Sequence, residues 1–182
     1  ALTDFSRAIQ LDPDHADALY NRGDLFNQLG EAQRALADFN ELIRLDPLDG
    51  GAYVGRAVAH GDLEQYAAAI PDFRRAVEPD PNDVKAHEGL AHIQATCPVA
   101  EHRNGAQAVK SARRACDLTH WAAWDYLATL AAALATVGEF KAATKWQTKA
   151  MRLAAEDVEA DREDRLAAQE LLARYRSGRP YF

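Results

Sequence analysis

At 182 residues, with 21 basic against 28 acidic side chains and a net charge of −7, the chain is long enough to bury a core without disulfides. Acidic and basic residues are interspersed along most segments, so no basic face and no nucleic-acid partner are expected. No apolar run approaches the roughly 18 residues that suggest a membrane span, and no basic-then-apolar leader opens the chain.

Residues 1–13 read as one helix closed by Pro13, and its phrase returns at steps of 34 residues. Ala1, Ala35 and Ala69 keep that step, as do Asp4-Phe5, Asp38-Phe39 and Asp72-Phe73, then Asp12, Asp46 and Asp80, then Pro13, Pro47 and Pro81. Segments 16–49 and 50–83 are therefore predicted as two helix pairs. The first puts Leu19, Gly23, Phe26, Ala35, Phe39 and Leu42 on the facing sides, and the second Tyr53, Ala57, His60, Ala69, Phe73 and Ala76. Small residues at the crossing let the paired helices approach.

Segment 84–123 opens alike with His87, Leu90 and Ala91, but its first helix is predicted to end at Cys97-Pro98 and its second to restart near Ala108. It carries five extra residues within Pro98 to Gly105. Cys97 and Cys116 then fall at opposite ends of that pair, out of reach of a disulfide. Segment 124–157 returns to register through Leu127, Leu130, Ala131, Leu134, Ala143 and Ala150, with Gly138 where the turn needs a permissive backbone. In 158–177 a last helix carries Ala168, Leu171, Leu172 and Tyr175 at helical spacing and stops at Ser177, Gly178 and Pro180.

A 34-residue period with Ala, an aromatic residue four positions on and Pro eight after that resembles the tetratricopeptide (TPR) helix-turn-helix repeat. The resemblance implies an all-α, right-handed α-solenoid of antiparallel helix pairs running through 1–182 as a single array. Residues 1–13 are then the second helix of an incomplete repeat, 84–123 a repeat with a five-residue insertion, 124–157 a further repeat and 158–177 a capping helix. An array that opens on an unpaired second helix is expected to begin mid-array, and that helix predicts pairing with upstream sequence or with another chain as an oligomer.

The C-terminal half also resembles a group of bacterial multi-repeat TPR proteins. The matching residues are Ala95-Thr96-Cys97-Pro98, Arg103-Asn104-Gly105, Ala115-Cys116, Leu130 to Ala133, Trp146-Gln147 and the closing Tyr175-Arg176 with Gly178-Arg179-Pro180-Tyr181. An Asp usually stands where this chain has Ala128. That resemblance implies placement at the end of a larger protein, sometimes beside a kinase-like domain, and no activity of its own.

Arg22 and Arg56 stand where the repeat expects an apolar residue, and Asp38 and Asp72 lie in the second helices of the same repeats. Later repeats replace both, with Leu90 and Leu130 for the arginines and Ser111 and Trp146 for the aspartates. Each Arg is expected to pair with an Asp of its own or the preceding repeat, Asp4 being available to Arg22. Trp121 and Trp124 are expected to seal the junction beside the insertion, the alternative being an exposed aromatic anchor. His60 and His87 fall on packing positions and His92 elsewhere, no zinc-like spacing occurs, and no phosphate loop or nucleophile elbow is present. No enzyme activity, metal or cofactor is expected.

In TPR arrays the first helix of each repeat lines a concave groove, and the resemblance places Asp17, Tyr20, Asn21, Asp24 and Asn27 there, followed by Val54, Val58, Lys85, Glu88 and His92. Asn21 matches the Asn that binds a peptide backbone in many TPRs, but Gly55, Gly89 and Thr129 replace it in later repeats. Lys85 is the one cation of this stripe, so a carboxylate clamp is absent. A partner segment basic at one end and apolar in the middle is expected. The alternatives are a structural spacer or oligomerisation element, or the regulatory tail of an upstream enzyme domain.

Overall fold

A computed structural model describes residues 1–157 and 162–181 of the chain. These residues form α1 (Leu2–Leu11), α2 (Ala16–Gln28), α3 (Ala32–Leu45), α4 (Gly50–Asp62), α5 (Tyr66–Ala76), α6 (Val84–Thr96), α7 (Gly105–Leu118), α8 (Trp124–Thr136), α9 (Phe140–Glu156) and α10 (Arg162–Arg176). A single 3-10 turn, Ala100–His102, lies between α6 and α7. Among the described residues the fold is all-α, as the repeat spacing predicts. Two compact units divide at Gly89 and Leu90, within α6.

The 34-residue step sets the helix starts of the first unit, because it repeats the capping groups. His15 Nδ1, Asp49 Oδ1 and Asp83 Oδ1 accept from the backbone N–H of Ala18, Ala52 and Ala86, satisfying donors that a helix start leaves open. Turns close by a shared device as well. Glu31, Gln65 and Glu139 donate their N–H back to the carbonyls of Phe26, His60 and Leu134 at 2.8–2.9 Å, and the residue before each is left-handed.

At Gly30 (φ 71°) and Gly138 (φ 81°) that conformation is free of side-chain strain, but in α4's turn the residue is Glu64, at φ 57°. Glu64 is exposed, so Glu64→Gly relieves the strain and leaves the core packing intact. It is expected to raise unfolding stability by about 1 kcal/mol. A urea titration checks this: the midpoint rises at unchanged slope.

In the first unit, Phe39 is fully buried with Leu19, Phe26, Ala35, Leu42, Ala52 and Ala59. Its ring has glycine on two sides. A Cβ on Gly23 of the same repeat would lie 3.0 Å from Phe39 Cζ, and one on Gly55 of α4 only 2.2 Å from it. The arrangement repeats one step on, where a Cβ on Gly89 would meet Phe73 Cζ at 2.2 Å. In the second unit, α7 carries Ala112 in the register of these phenylalanines and α8 carries Thr129 in that of the glycines. The replacement of Asn21 by Gly55 and Gly89 therefore has a packing cause.

The expected charge pairs form within each repeat. Arg22 donates from Nε and Nη2 to both oxygens of Asp38 (2.9 and 2.7 Å), and Arg56 does the same to Asp72 (2.7 Å twice). The remaining nitrogen of each guanidinium reaches the preceding repeat, Arg22 Nη1 to Ser6 at 3.2 Å and Arg56 Nη1 to Asn40 at 2.9 Å. Asp4 is not a partner of Arg22; its side chain is 83% exposed and meets the N-terminal amine instead. Each fork thus ties two helices of one repeat and one helix of the repeat before it.

In the second unit α8 supplies a central apolar strip, with Leu127, Leu130, Ala131, Ala133 and Leu134 all fully buried. Tyr175 of α10 (1% exposed) and Leu172 cover its core from the C-terminal side, while Gln147 donates to the Ala168 carbonyl. α7 begins at Gly105, three residues before the expected restart, because Asn104 Oδ1 caps it at the Gln107 N–H. The extra residues fold back on the end of α6: Asn104 N–H donates to Gln94 O, and Arg103 Nη1 to the carbonyls of Cys97 and Pro98. A Cβ on Gly105 would lie 2.7 Å from Val137 Cγ1, so a larger residue here needs that exposed side chain to turn away.

The tryptophans do something other than cover the insertion. Trp121 stacks on Trp146 of α9 (centroids 4.7 Å apart) and donates to Asp117, while Trp124 donates to Asp157. Cys97 and Cys116 are buried free thiols, and burial pushes the Cys116 thiol up to about 12.

Candidate functional site

The stripe expected to carry function divides between the two units. In the first unit, α2 and α4 lie side by side and bring Tyr20, Asp24, Asn27, Val54 and Val58 onto neighbouring helices. Lys85 and Glu88 stand on the part of α6 that belongs to this unit, and His92, exposed, on the part that belongs to the second.

Tyr20 is the aromatic residue of this stripe. Its ring meets Phe39 edge-on at 6.0 Å, and its Cε2 lies 3.2 Å from where a Cβ on Gly51 would stand. Gly51 therefore leaves the ring half-exposed at the surface. Burial first, then the carboxylates of Asp24, Asp49 and Asp83, push the phenol above its ordinary value. Asp49 and Asp83 lie outside the expected stripe; as the cap of α4, Asp49 reaches the same point above Gly51 as the ring, while Asp83, the cap of α6, acts on it only through its charge. Their recurrence just ahead of each first helix was the available signal.

The other residues differ in what they can offer. Asn27 Nδ2 donates to the Gly55 carbonyl at 2.9 Å, so its donor is already engaged in fixing α2 to α4. Its Oδ1 is buried with no hydrogen-bond partner among the described residues. Asn21 is exposed and donates to Asp17 O at 2.6 Å, and Asp24 accepts from Gln28. Val54 is buried at 7% exposure, whereas Val58 is 39% exposed and supplies the apolar surface. Lys85 and Asp17 are exposed and Glu88 is half-buried.

Among the described residues no three His, Cys, Asp or Glu side chains are placed to hold a metal ion, and no helix is long and apolar enough to cross a membrane. The two packing histidines are half-buried and hydrogen-bonded, His60 to Gln65 at 2.7 Å and His87 to the Pro81 carbonyl at 3.0 Å. What the surface provides is an aromatic ring among carboxylates with an exposed valine on the next helix.

The sequence profile described as Tetratricopeptide repeat matches residues 1–51 and 54–96. Among solved structures, MamA from Desulfovibrio magneticus RS-1 (residues 41 to the end) is 21% identical and superposes with a TM-score of 0.70 over 87% of this chain and 86% of that one. A thermophilic TPR protein of Thermus thermophilus is also 21% identical, with a TM-score of 0.70 over 97% of this chain and 88% of that one. YrrB, a TPR protein with an unusual peptide-binding site, is 20% identical, with a TM-score of 0.67 over 93% and 82%. No curated protein matches the chain's sequence.

Proposed function

The chain belongs to the tetratricopeptide repeat family, and from that premise we propose that it is a protein-interaction module whose site is the first-helix surface around Tyr20. The repeat boundaries we adopt are 16–49, 50–83, 84–123 and 124–157, with a lone second helix before them and α10 as the cap. The partner is a polypeptide segment with a Lys or Arg side chain seated at Tyr20 and an apolar residue at Val58.

The observation that carries this reading is the half-exposed Tyr20 ring, with Asp24 one turn along α2 and Asp49 at the start of α4 close to its edge. A cation over an aromatic face gains from the ring quadrupole, and the carboxylates add charge complementarity. Asp17, Asn21, Lys85, Glu88 and His92 belong to the wider proposed surface. Asn27 and Val54 support it from below, Asn27 by its bond to Gly55 and Val54 by burial. A peptide-binding TPR protein such as YrrB lends the fold a precedent for this kind of ligand.

Selection from a random peptide library tests the chemistry. Peptides enriched in one Lys or Arg next to an apolar residue are expected, and Asp24→Lys should weaken their binding at least tenfold, about 1.4 kcal/mol. Selected peptides that are acidic, or that bind Asp24→Lys as well as the parent, would remove the reading.

A further inference from the structure

The interspersed charge read from the sequence gives way, in the second unit, to a basic face. Lys141, Lys145, Lys149 and Arg152 fall along one side of α9, opposite the buried Ala143, Gln147 and Ala150. On α7, Lys110, Arg113 and Arg114 likewise point away from the buried Ala108, Ala112 and Ala115. The two helices flank α8, and the Trp121–Trp146 stack joins the end of one to the middle of the other.

These cations are used differently from those of the first unit. There, five of the eight, Arg22, Arg34, Arg44, Arg56 and Arg75, are held in ion pairs, and Arg7, Arg74 and Lys85 lie on different helices rather than along one face. Among the described residues, Lys110, Arg113, Lys141, Lys145 and Arg152 are exposed and pair with no carboxylate. The carboxylates on the two helices lie toward their ends: Asp117, already engaged by Trp121, and Glu156. Trp146 is half-buried, with the Lys145 and Lys149 ammonium groups 5.1 and 5.6 Å from its ring.

We infer that the outward face of α7 and α9 is a second binding surface, which takes an acidic polypeptide segment with an apolar side chain against the Trp121–Trp146 pair. Cations one turn apart on α9 stand about 6 Å from each other. A helical segment with Glu at every fourth residue repeats that interval. An extended polyanion or a membrane would also meet the field of a chain with net charge −7, whereas a short acidic segment meets mainly the local patch. None of its residues belongs to the surface around Tyr20, and it does not rest on that reading.

The probe is a fluorescent alanine-based peptide with glutamate at every fourth position and one central leucine, followed by anisotropy against the whole chain. Binding is expected, weakening as salt rises. Lys141→Glu/Lys145→Glu/Arg152→Glu should lose at least tenfold in affinity, and the corresponding glutamine variant an intermediate amount, with circular dichroism unchanged in both. Asp24→Lys should bind this peptide as the parent does. Three results would overturn the inference: equal binding by the charge-reversed variant, tighter binding of the parent to phosphatidylserine vesicles or a DNA duplex than to the peptide at equal salt, or self-association of the parent that charge reversal abolishes.

Discussion

Gly55→Ala is expected to destabilise the chain by about 3 kcal/mol, the upper part of the range for inserting a methyl group into a packed core. Helix propensity alone predicts the opposite sign, a gain of about 1 kcal/mol for Ala over Gly within α4. Packing wins because the added Cβ would stand 2.2 Å from Phe39 Cζ and 2.3 Å from Cε1, inside a fully buried ring that Gly23 confines on its other side. Relief must therefore come from moving α3 against α4. The clash is specific, so Phe39→Leu in the same chain should return about 2 kcal/mol of the loss, a coupling that a double-mutant cycle isolates. Additive effects of the two changes would mean that the ring is not seated on Gly55.

Arg56→Leu is expected to cost about 3 kcal/mol, the scale on which breaking a buried ion pair is felt. The change strips both charge-assisted bonds from Asp72, whose side chain is only 9% exposed, and the bond from Asn40 as well. Asp72→Ala should cost less, about 2 kcal/mol, because the Arg56 side chain is 22% exposed and its head can turn toward water. The combination Arg56→Leu/Asp72→Ser recreates what the second unit already has in Leu90 and Ser111, both buried. It should recover most of the loss. Denaturant unfolding of the four proteins checks the order, and Arg56→Leu with parental stability would exclude the pairing.

Much of the helical architecture was legible because a solenoid writes its contacts at a fixed step. The pairs of Arg22 with Asp38 and Arg56 with Asp72 could be read from their joint disappearance later in the chain, since a buried charge is kept only with its partner. The third members of these networks, Ser6 and Asn40, keep the same step but carry no sequence signal, because nothing in their residue type demands burial. Gly55 and Gly89 stood out only as departures from a peptide-binding Asn, when each glycine is the seat of a phenylalanine from the preceding repeat. That relation joins residues 16 positions apart on different helices and is visible only once Ala112 and Thr129 are set against it.

The basic side of α9 is hidden from a linear reading for a different reason. A net count and a linear scan average over faces, while Lys141, Lys145, Lys149 and Arg152 gather only when wound onto a helix. At the Tyr20 surface the aromatic residue and Asp24 were legible from the stripe. Asp49 and Asp83 were not, because they enter from the helix starts, outside it.

On the proposed function, the face around Tyr20 holds a polypeptide partner. Affinity capture from source-cell lysate, with the parent chain beside Tyr20→Ala/Asp24→Lys/Val58→Asp and beside Asp24→Lys alone, tests it most directly, with folding verified by circular dichroism. A partner retained by the parent and lost by both folded variants is the predicted result. Equal capture by all three, or none by any, would contradict it.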